Sequence, residues 1–202
     1  MEVQAKDQPE IEGKGIKKYL YFAWEIIKIA LIAIIIVAPI RYFIFQPFIV
    51  SGASMAPNFA TGDYLIIDEV SYRFSNPQRG DVIIFNAGFV SGYEGQRFIK
   101  RIIGLPGETV KVANGLVELL PEGSPDGKTE ILDEKYLPDD LKTYQDAEVT
   151  LKDNQYFVLG DNRPNSYDSR YWGVVDRKYI IGKALLRVLP ITSFSEINRP
   201  VY

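Results

Sequence analysis

The sequence contains no cysteine and no histidine among its 202 residues. Without cysteine, the protein has no thiol nucleophile, no disulfide and no thiolate metal site. Without histidine, it can build neither a Ser-His-Asp triad nor a histidine-ligated zinc site. Any acid–base chemistry near neutral pH therefore has to use a carboxylate, a lysine or a tyrosine. We expect neither a cofactor nor a metal site.

The sequence also lacks an excess of positive charge. It has 23 Lys and Arg against 26 Asp and Glu, which gives a net charge of -3, and its basic residues are scattered. Binding to a phosphate backbone requires a basic patch, so nucleic acid is not an expected partner. The length leaves room for one domain of ordinary size and a tail or membrane segment.

One long apolar run lies near the N-terminus. Residues 19–41 are mostly large and apolar, with Glu25 and Lys28 as interruptions before Arg41. A bilayer core needs about 20 residues of apolar helix, and this run reaches that length if both charged side chains extend to the interface. A cleaved signal peptide and a buried core helix are alternatives. Because no small-residue cleavage site follows Ala38, the pattern favours a transmembrane anchor.

The charges that flank this run predict its orientation. Residues 1–18 are polar and mixed in charge, and we expect them to form a disordered tail. The cluster of Lys14, Lys17 and Lys18 in that tail outweighs the single Arg41 on the other side. By the positive-inside tendency, the N-terminus lies in the cytoplasm, and residues 42–202 lie outside the plasma membrane.

Beyond residue 41 the sequence is typical of β structure. Short β-branched or aromatic runs alternate with turn signals, and no long amphipathic helix intervenes. The runs are at residues 64–68, 82–85, 98–103, 155–159 and 180–188. The predicted fold class is mainly β, an antiparallel barrel or sandwich behind a single N-terminal helix. The acidic residues at about 113–153 are expected to form an excursion from the main sheet.

One lysine has surroundings that suit base catalysis. Strand alternation places Lys100 on the same face as Phe98 and Ile102. Arg97 and Arg101 share the opposite face and are expected to be exposed charges. Burial lowers the pKa of a lysine amine, so that the neutral amine can accept a proton. An edge lysine or one that snorkels to solvent is the alternative interpretation.

A serine in a stretch of small residues is a candidate nucleophile. Ser54 lies within residues 51–57, where small neighbours leave its hydroxyl accessible. The stretch is not a G-x-S-x-G elbow, because position 56 is alanine and no strand–turn–helix pattern surrounds it. An ordinary linker between anchor and domain has the same composition.

A third segment, residues 160–173, is dense in hydrogen-bonding and aromatic side chains. Its charged residues are spaced to form ion pairs that brace the segment. The predicted pairs are Asp161 with Arg163 and Asp168 with Arg170. A solvated loop is the alternative.

These three segments together resemble the signature segments of bacterial type I signal peptidases: residues 51–57, 98–108 and 160–173. Gly62-Asp63-Tyr64 and Arg79-Gly80-Asp81-Val82 resemble two more, and all five stand in the family's order behind an apolar run. The resemblance extends over about residues 20–190. It implies a membrane-bound serine endopeptidase that removes signal peptides from exported preproteins. Cleavage would follow small residues at the first and third positions before the cut.

The resemblance also implies roles for individual residues. Ser54 matches the nucleophile, and Lys100 matches the general base, which also activates the deacylating water. Ser166 matches the serine that hydrogen-bonds the lysine amine. The matches to bracing charges behind the site are Asp161, Arg163, Asp168 and Arg170. The matches to the substrate-binding site are Phe48, Val50, Gly52, Met55, Phe98 and Ile99.

Two positions depart from the pattern of some family members. The Ser54 N–H is expected to donate in the oxyanion hole, but Gly52 stands where some members have a serine as second donor. Asn58 replaces a common threonine, and this difference is expected to matter little. The implied partners are signal peptides, membrane lipid and the protein export translocon. Lipid contact would involve the apolar residues 43–50.

Two other functions fit the same features. One is another Ser-Lys protease, such as a pilin-processing peptidase, although those relatives typically contain cysteine. The other is a non-catalytic, membrane-tethered β domain that binds peptides. Such a domain should have lost Ser54 or Lys100, and both are present.

Overall fold

The structure, a computed structural model, describes residues 12–43, 45–121, 123 and 129–202. The chain divides into two compact units, one ending at Tyr42 and one of Phe43–Tyr202. Residues 1–11 of the predicted tail lie outside the described residues.

The first unit is built on one long helix, α1 (Glu12–Phe43). The helix begins before residue 19 and therefore includes residues 12–18, which were expected in the tail. Its stretch Lys17–Val37 is long and apolar enough to cross a membrane. Lys28 Nζ donates to Glu25 Oε1 at 2.6 Å, one turn apart. The two charges that interrupt the apolar run thus neutralise each other.

The second unit is built from short antiparallel strands. Its described residues form β1 (Phe45–Ile49), β2 (Tyr64–Asp68), β3 (Val82–Asn86), β4 (Arg97–Gly104), β5 (Thr109–Ala113), β6 (Leu116–Leu120), β7 (Glu130–Ile131), β8 (Ala147–Thr150), β9 (Gln155–Leu159), β10 (Val175–Asp176), β11 (Ile180–Leu189) and β12 (Ser195–Glu196). A one-turn helix, α2 (Ser169–Trp172), follows β9.

The strands form two antiparallel sheets. The first has the order β1-β2-β11-β3-β4-β9-β10, with β12 paired to β11, and the second has the order β7-β6-β5-β8. The predicted fold class, mainly antiparallel β structure behind one apolar helix, is confirmed. The excursion expected at about 113–153 falls in the second sheet, which extends from β5 to β8.

The hydrophobic core lies on both faces of β4. One cluster contains Met55, Leu65 and Ile99, and another contains Phe85 and Ile102. A third cluster joins the two sheets, with Ile103 and Phe157 from the first and Val110 and Val117 from the second. Because neighbours cover both faces of this central strand, its alternation does not separate buried from exposed side chains.

The prediction that Arg101 is exposed is therefore wrong. Arg101 is 4% exposed, whereas Arg97, at the start of the strand, is exposed as expected. At the other end of β4, Gly104 allows the sheets to approach each other. A Cβ at this position would lie 2.3 Å from Val110 Cγ2 and 2.7 Å from Leu151 Cδ1.

Candidate active site

The hydroxyl of Ser54 and the amine of Lys100 lie within hydrogen-bond distance of each other in the second unit. Lys100 Nζ lies 2.8 Å from Ser54 Oγ and donates to the Ile99 carbonyl at 3.0 Å. Lys100 projects from β4 and is 4% exposed, whereas Ser54 is half-buried. The turn that carries Ser54 is anchored by the next residue, because Met55 is fully buried in the core beside Ile99.

Burial changes the acidity of the lysine. Desolvation lowers the pKa of Lys100 to about 8, although the charges of Asp168 and Asp161 act in the opposite direction. The Phe98 ring, 5.3 Å from Nζ, forms part of the apolar surroundings. Near and above pH 8 a large share of the Lys100 side chains is therefore neutral and can accept a proton.

Asp161 is fully buried behind this pair, where its partner is Arg101. Arg101 Nε and Nη2 donate to the two Asp161 oxygens at 2.9 and 2.6 Å. The predicted Asp161–Arg163 pair is wrong, because Arg101 presents the planar edge of its guanidinium to the carboxylate. Asn58 Nδ2 also donates to Asp161 Oδ2, at 2.9 Å. Asn58, whose departure from threonine was expected to matter little, is thus part of this buried network.

Arg163 instead pairs with a residue of the second sheet's connecting loop. Its Nη1 donates to Glu134 Oε2 at 2.6 Å, and its Nη2 donates to Glu134 Oε1. Its Nε donates to the Gly160 carbonyl at 3.1 Å. The predicted pair of Asp168 and Arg170 is confirmed, with Arg170 Nε and Nη2 each 2.8 Å from an Asp168 oxygen.

The turn at residues 160–163 packs directly on the backbone of Ser54. Asn162 N–H donates to the Ser54 carbonyl at 3.0 Å, and Asn162 Nδ2 donates to the Ala53 carbonyl at 3.0 Å. A Cβ on Gly160 would lie 2.4 Å from the Ser54 carbonyl oxygen. Position 160 therefore requires glycine for close approach.

Ser166 differs from its expected role. Its Oγ is buried and has no hydrogen-bond partner within the described part of the chain, so the expected bond to Lys100 is not made. The Ser54 N–H likewise meets no acceptor among the described residues and is free to donate to a ligand. The resemblance did not identify a second oxyanion-hole donor, because Gly52 has no side-chain hydroxyl. In the structure the Gly52 carbonyl accepts a bond from Thr61 Oγ1 at 2.9 Å.

A cleft of about 430 Å³ opens beside Ser54 and Lys100. Of the six predicted substrate-binding residues, four line it: Phe48, Gly52, Phe98 and Ile99. Val50 and Met55 are instead buried in the core beneath it. Sequence reasoning missed Tyr93 and Tyr167, whose rings lie 5.8 Å apart in the cleft wall. Tyr167 could have been found, since it lies in the aromatic-rich segment 160–173.

The described residues contain no cluster of three or more acidic side chains that could hold a metal ion. Among the polar side chains that line the cleft, the Ser54 hydroxyl and the Lys100 amine lie within hydrogen-bond distance of each other.

Comparison with known proteins finds one family model and several relatives that match most of the chain. A sequence model of the family described as "Signal peptidase, peptidase S26" matches residues 23–189. Probable signal peptidase I-1 of Synechocystis sp. is 38% identical, over 87% of this chain and 89% of that protein. Signal peptidase I of Leptolyngbya laminosa is also 38% identical, over 84% and 81% of the two chains.

Similarity extends to relatives from other bacteria. Signal peptidase I P of Bacillus subtilis subsp. natto is 34% identical, over 82% of this chain and 88% of that protein. The protein in a crystal structure of a signal peptidase I from Enterococcus faecalis is 34% identical in sequence. The alignment covers 54% of this chain and 97% of the crystallised chain, with a TM-score of 0.43.

The relatives show that the chain is a serine endopeptidase, and its N-terminal apolar helix is consistent with membrane anchoring. The chain belongs to the signal peptidase family, peptidase S26, and its relatives are type I signal peptidases.

Proposed function

We propose that the protein removes signal peptides from exported preproteins, with Ser54 as the nucleophile and Lys100 as the general base. The observation that carries this proposal is the 2.8 Å contact between Ser54 Oγ and the buried Lys100 amine. Burial lowers the pKa of that amine to about 8, which makes it a usable base without histidine. Membership of the signal peptidase family supports the substrate class.

Acylation follows from the orientation of the amine. Lys100 Nζ donates one hydrogen to the Ile99 carbonyl, which helps aim the lone pair of the neutral amine at Ser54 Oγ. Ser54 Oγ attacks the scissile carbonyl carbon while its proton passes to Lys100. The tetrahedral intermediate then collapses, Lys100 gives its proton to the leaving amine, and the signal peptide remains as an ester on Ser54.

Deacylation uses the same base. After the mature chain has left, neutral Lys100 accepts a proton from a water molecule, whose oxygen attacks the ester carbonyl. The bond to Ser54 Oγ breaks, and the proton returns from Lys100 to the serine oxygen. The free Ser54 N–H supplies one oxyanion-hole donor, and such a donor is worth about 3 to 4 kcal/mol.

The cleft suits an extended peptide that adds as a strand beside β1. Among the described residues, β1 stands at the end of the strand order and pairs with β2 alone, so its other edge can offer main-chain hydrogen bonds. Phe48 and Ile99 line the cleft with apolar surface, which suits small apolar side chains such as alanine at the first and third positions before the cut.

The apolar helix supports a membrane location. We propose residues 19–41 as the anchor, with the N-terminus in the cytoplasm and residues 42–202 outside. Ile49, at the end of β1 beside Ser51, is 60% exposed and suits contact with lipid. A peptidase at this position would meet preproteins as they leave the export translocon.

Cleavage of a purified preprotein by the detergent-solubilised protein tests the proposal. Wild type should release a mature chain whose new N-terminus follows a small-x-small site, and Ser54→Ala should release none. Ser75→Ala, an exposed serine remote from the cleft, is the matched control and should cut normally. Equal cutting by Ser54→Ala would show that Ser54 is not the nucleophile. An absence of cutting by wild type would show that the proposed substrate class is wrong.

The rate of cleavage should rise with pH. Lys100 must be neutral to accept the serine proton, and its pKa is about 8. Below that value the single-turnover rate constant should fall about tenfold for each pH unit, because the neutral fraction falls in that proportion. It should be half-maximal at about pH 8 and level above it. A rate constant that stays flat or falls as the pH is raised from about 6 to about 8 would contradict the assignment of Lys100.

A further inference from the structure

Residues of the second sheet's connecting loop reach the network behind Ser54 and Lys100. This loop, residues 132–146, joins β7 to β8. Its side chains Glu134, Tyr136 and Thr143 all contact Arg163. The loop lies in the acidic stretch of the sequence for which the mechanism so far provides no role.

Glu134 supplies the counter-charge of Arg163. The Arg163 side chain is 1% exposed and that of Glu134 is 13% exposed, so the pair is largely shielded from water. Tyr136 OH donates to Glu134 Oε1 at 2.6 Å and receives a bond from Arg163 Nη2 at 3.1 Å. A buried guanidinium without a partner is unfavourable, so the position of Glu134 determines where Arg163 can lie.

Arg163 in turn holds the turn that touches Ser54. Its Nε donates to the Gly160 carbonyl at 3.1 Å, at the start of the turn. Two residues later, Asn162 N–H donates to the Ser54 carbonyl at 3.0 Å. The contact between Glu134 and Arg163 is thus separated from the backbone of Ser54 by a single turn of chain.

Tyr136 makes a second connection to the same site. Its ring lies 4.3 Å from the guanidinium carbon of Arg101, which pairs with Asp161. Its carbonyl accepts a bond from Asn58 Nδ2 at 3.1 Å, and that nitrogen also donates to Asp161 at 2.9 Å. Asn58 follows Ser54 in the same turn. Tyr136 therefore contacts the network at two points, Arg101 and Asn58.

We propose that Glu134 and Tyr136 are positioning residues, which hold the turn at 160–163, and through it Ser54, at the distance from Lys100 that proton transfer requires. Neither residue lines the cleft. The loop at 132–146 thereby completes the site from outside the first sheet. This inference rests on the proposed roles of Ser54 and Lys100.

The test is the steady-state cleavage of a preprotein by Glu134→Gln and Tyr136→Phe. Glu134→Gln keeps the shape of the side chain but removes the counter-charge, and we expect kcat to fall by about 10- to 100-fold, as for small displacements of reacting groups. KM should stay within about twofold, because the cleft is unchanged. Tyr136→Phe keeps the ring and removes the hydroxyl, and should lower kcat by a smaller factor of about three to ten.

The matched control is Asp133→Asn. This neighbour pairs with Lys135 at the surface, where its side chain is 54% exposed, and its kcat should equal that of wild type. An unfolding midpoint well above the assay temperature, measured for each variant, separates a change of position from loss of the fold. The loss caused by Glu134→Gln should also disappear in an Arg163→Met background, which has no cation for Glu134 to neutralise, if Glu134 acts through Arg163.

Values of kcat within about twofold of wild type for both variants would overturn the proposal, as would an equal loss from Glu134→Gln in the Arg163→Met background. If Glu134→Gln does not fold, Tyr136→Phe decides: a lowered kcat at unchanged KM supports positioning, and an unchanged kcat overturns it. Ser54→Ala in the same assay keeps the two proposals apart. Residual cutting by Ser54→Ala would contradict the nucleophile, whatever Glu134 does.

Discussion

Replacing Lys100 by methionine is expected to lower the rate constant of preprotein cleavage by about 10²- to 10⁴-fold, the usual contribution of a general base. Methionine has a similar length but cannot accept a proton from Ser54. The domain should remain folded, because the substitution removes an amine from apolar surroundings. The fall in the pKa of Lys100 from 10.5 to about 8 corresponds to about 3 kcal/mol by which burial disfavours the charged amine.

The free energy of unfolding of Lys100→Met at neutral pH should therefore equal or exceed that of wild type. Lys178→Met is the matched control, since the Lys178 side chain is 68% exposed and does not line the cleft. Its cleavage rate should be unchanged. Single-turnover cleavage and denaturant unfolding measure the two effects separately. Cleavage by Lys100→Met at a rate near that of wild type would mean that another group accepts the serine proton.

Replacing Asp161 by alanine should give the largest loss of stability, about 3 to 5 kcal/mol in the free energy of unfolding. Arg101 would then be a buried cation without its carboxylate, and Asn58 would lose the bond to Asp161 at 2.9 Å. The activity should fall as well, since the adjacent turn holds the Ser54 carbonyl. Chemical denaturation of the detergent-solubilised protein measures the difference.

Asp133→Ala is the control for Asp161→Ala. Its carboxylate also forms an ion pair, at 2.7 Å from Lys135, but the pair is exposed and should contribute little to the free energy of unfolding. The difference between the two losses of unfolding free energy identifies burial as the cause of the larger one. A loss below about 1 kcal/mol for Asp161→Ala would mean that Arg101 finds another partner or water, and that the buried pair does not brace the site.

The sequence was sufficient to propose the two residues with chemical roles, because the segments that hold Ser54 and Lys100 resemble signature segments of type I signal peptidases. The absence of histidine directs attention to lysine, and the alternation around Lys100 predicts an apolar environment, which the structure confirms. The turn signals and short apolar runs are likewise local, so they predict antiparallel β structure without knowledge of the pairing. The apolar run near the N-terminus predicts a long helix for the same reason.

The partners of the buried charges were less predictable. Asp161 and Arg163 are two residues apart and were expected to pair, but Asp161 pairs with Arg101, 60 residues away. Arg101 itself was expected to be exposed, because alternation along a strand indicates one buried and one solvent-exposed face. Both faces of β4 are covered, so the alternation does not predict exposure there. Ser166 shows the limit of carrying over a role, since its Oγ makes no hydrogen bond within the described residues.

Three properties follow from the amino-acid sequence alone: which residue types can act, where the apolar helix lies, and that short strands follow it. They depend on side-chain chemistry and on patterns a few residues long. The folded chain was needed to show which carboxylate neutralises which arginine, that Glu134 of the second sheet's loop meets Arg163, and that Val50 and Met55 are buried beneath the cleft. These contacts join residues far apart in the chain, and the order of strands in the folded sheets determines them.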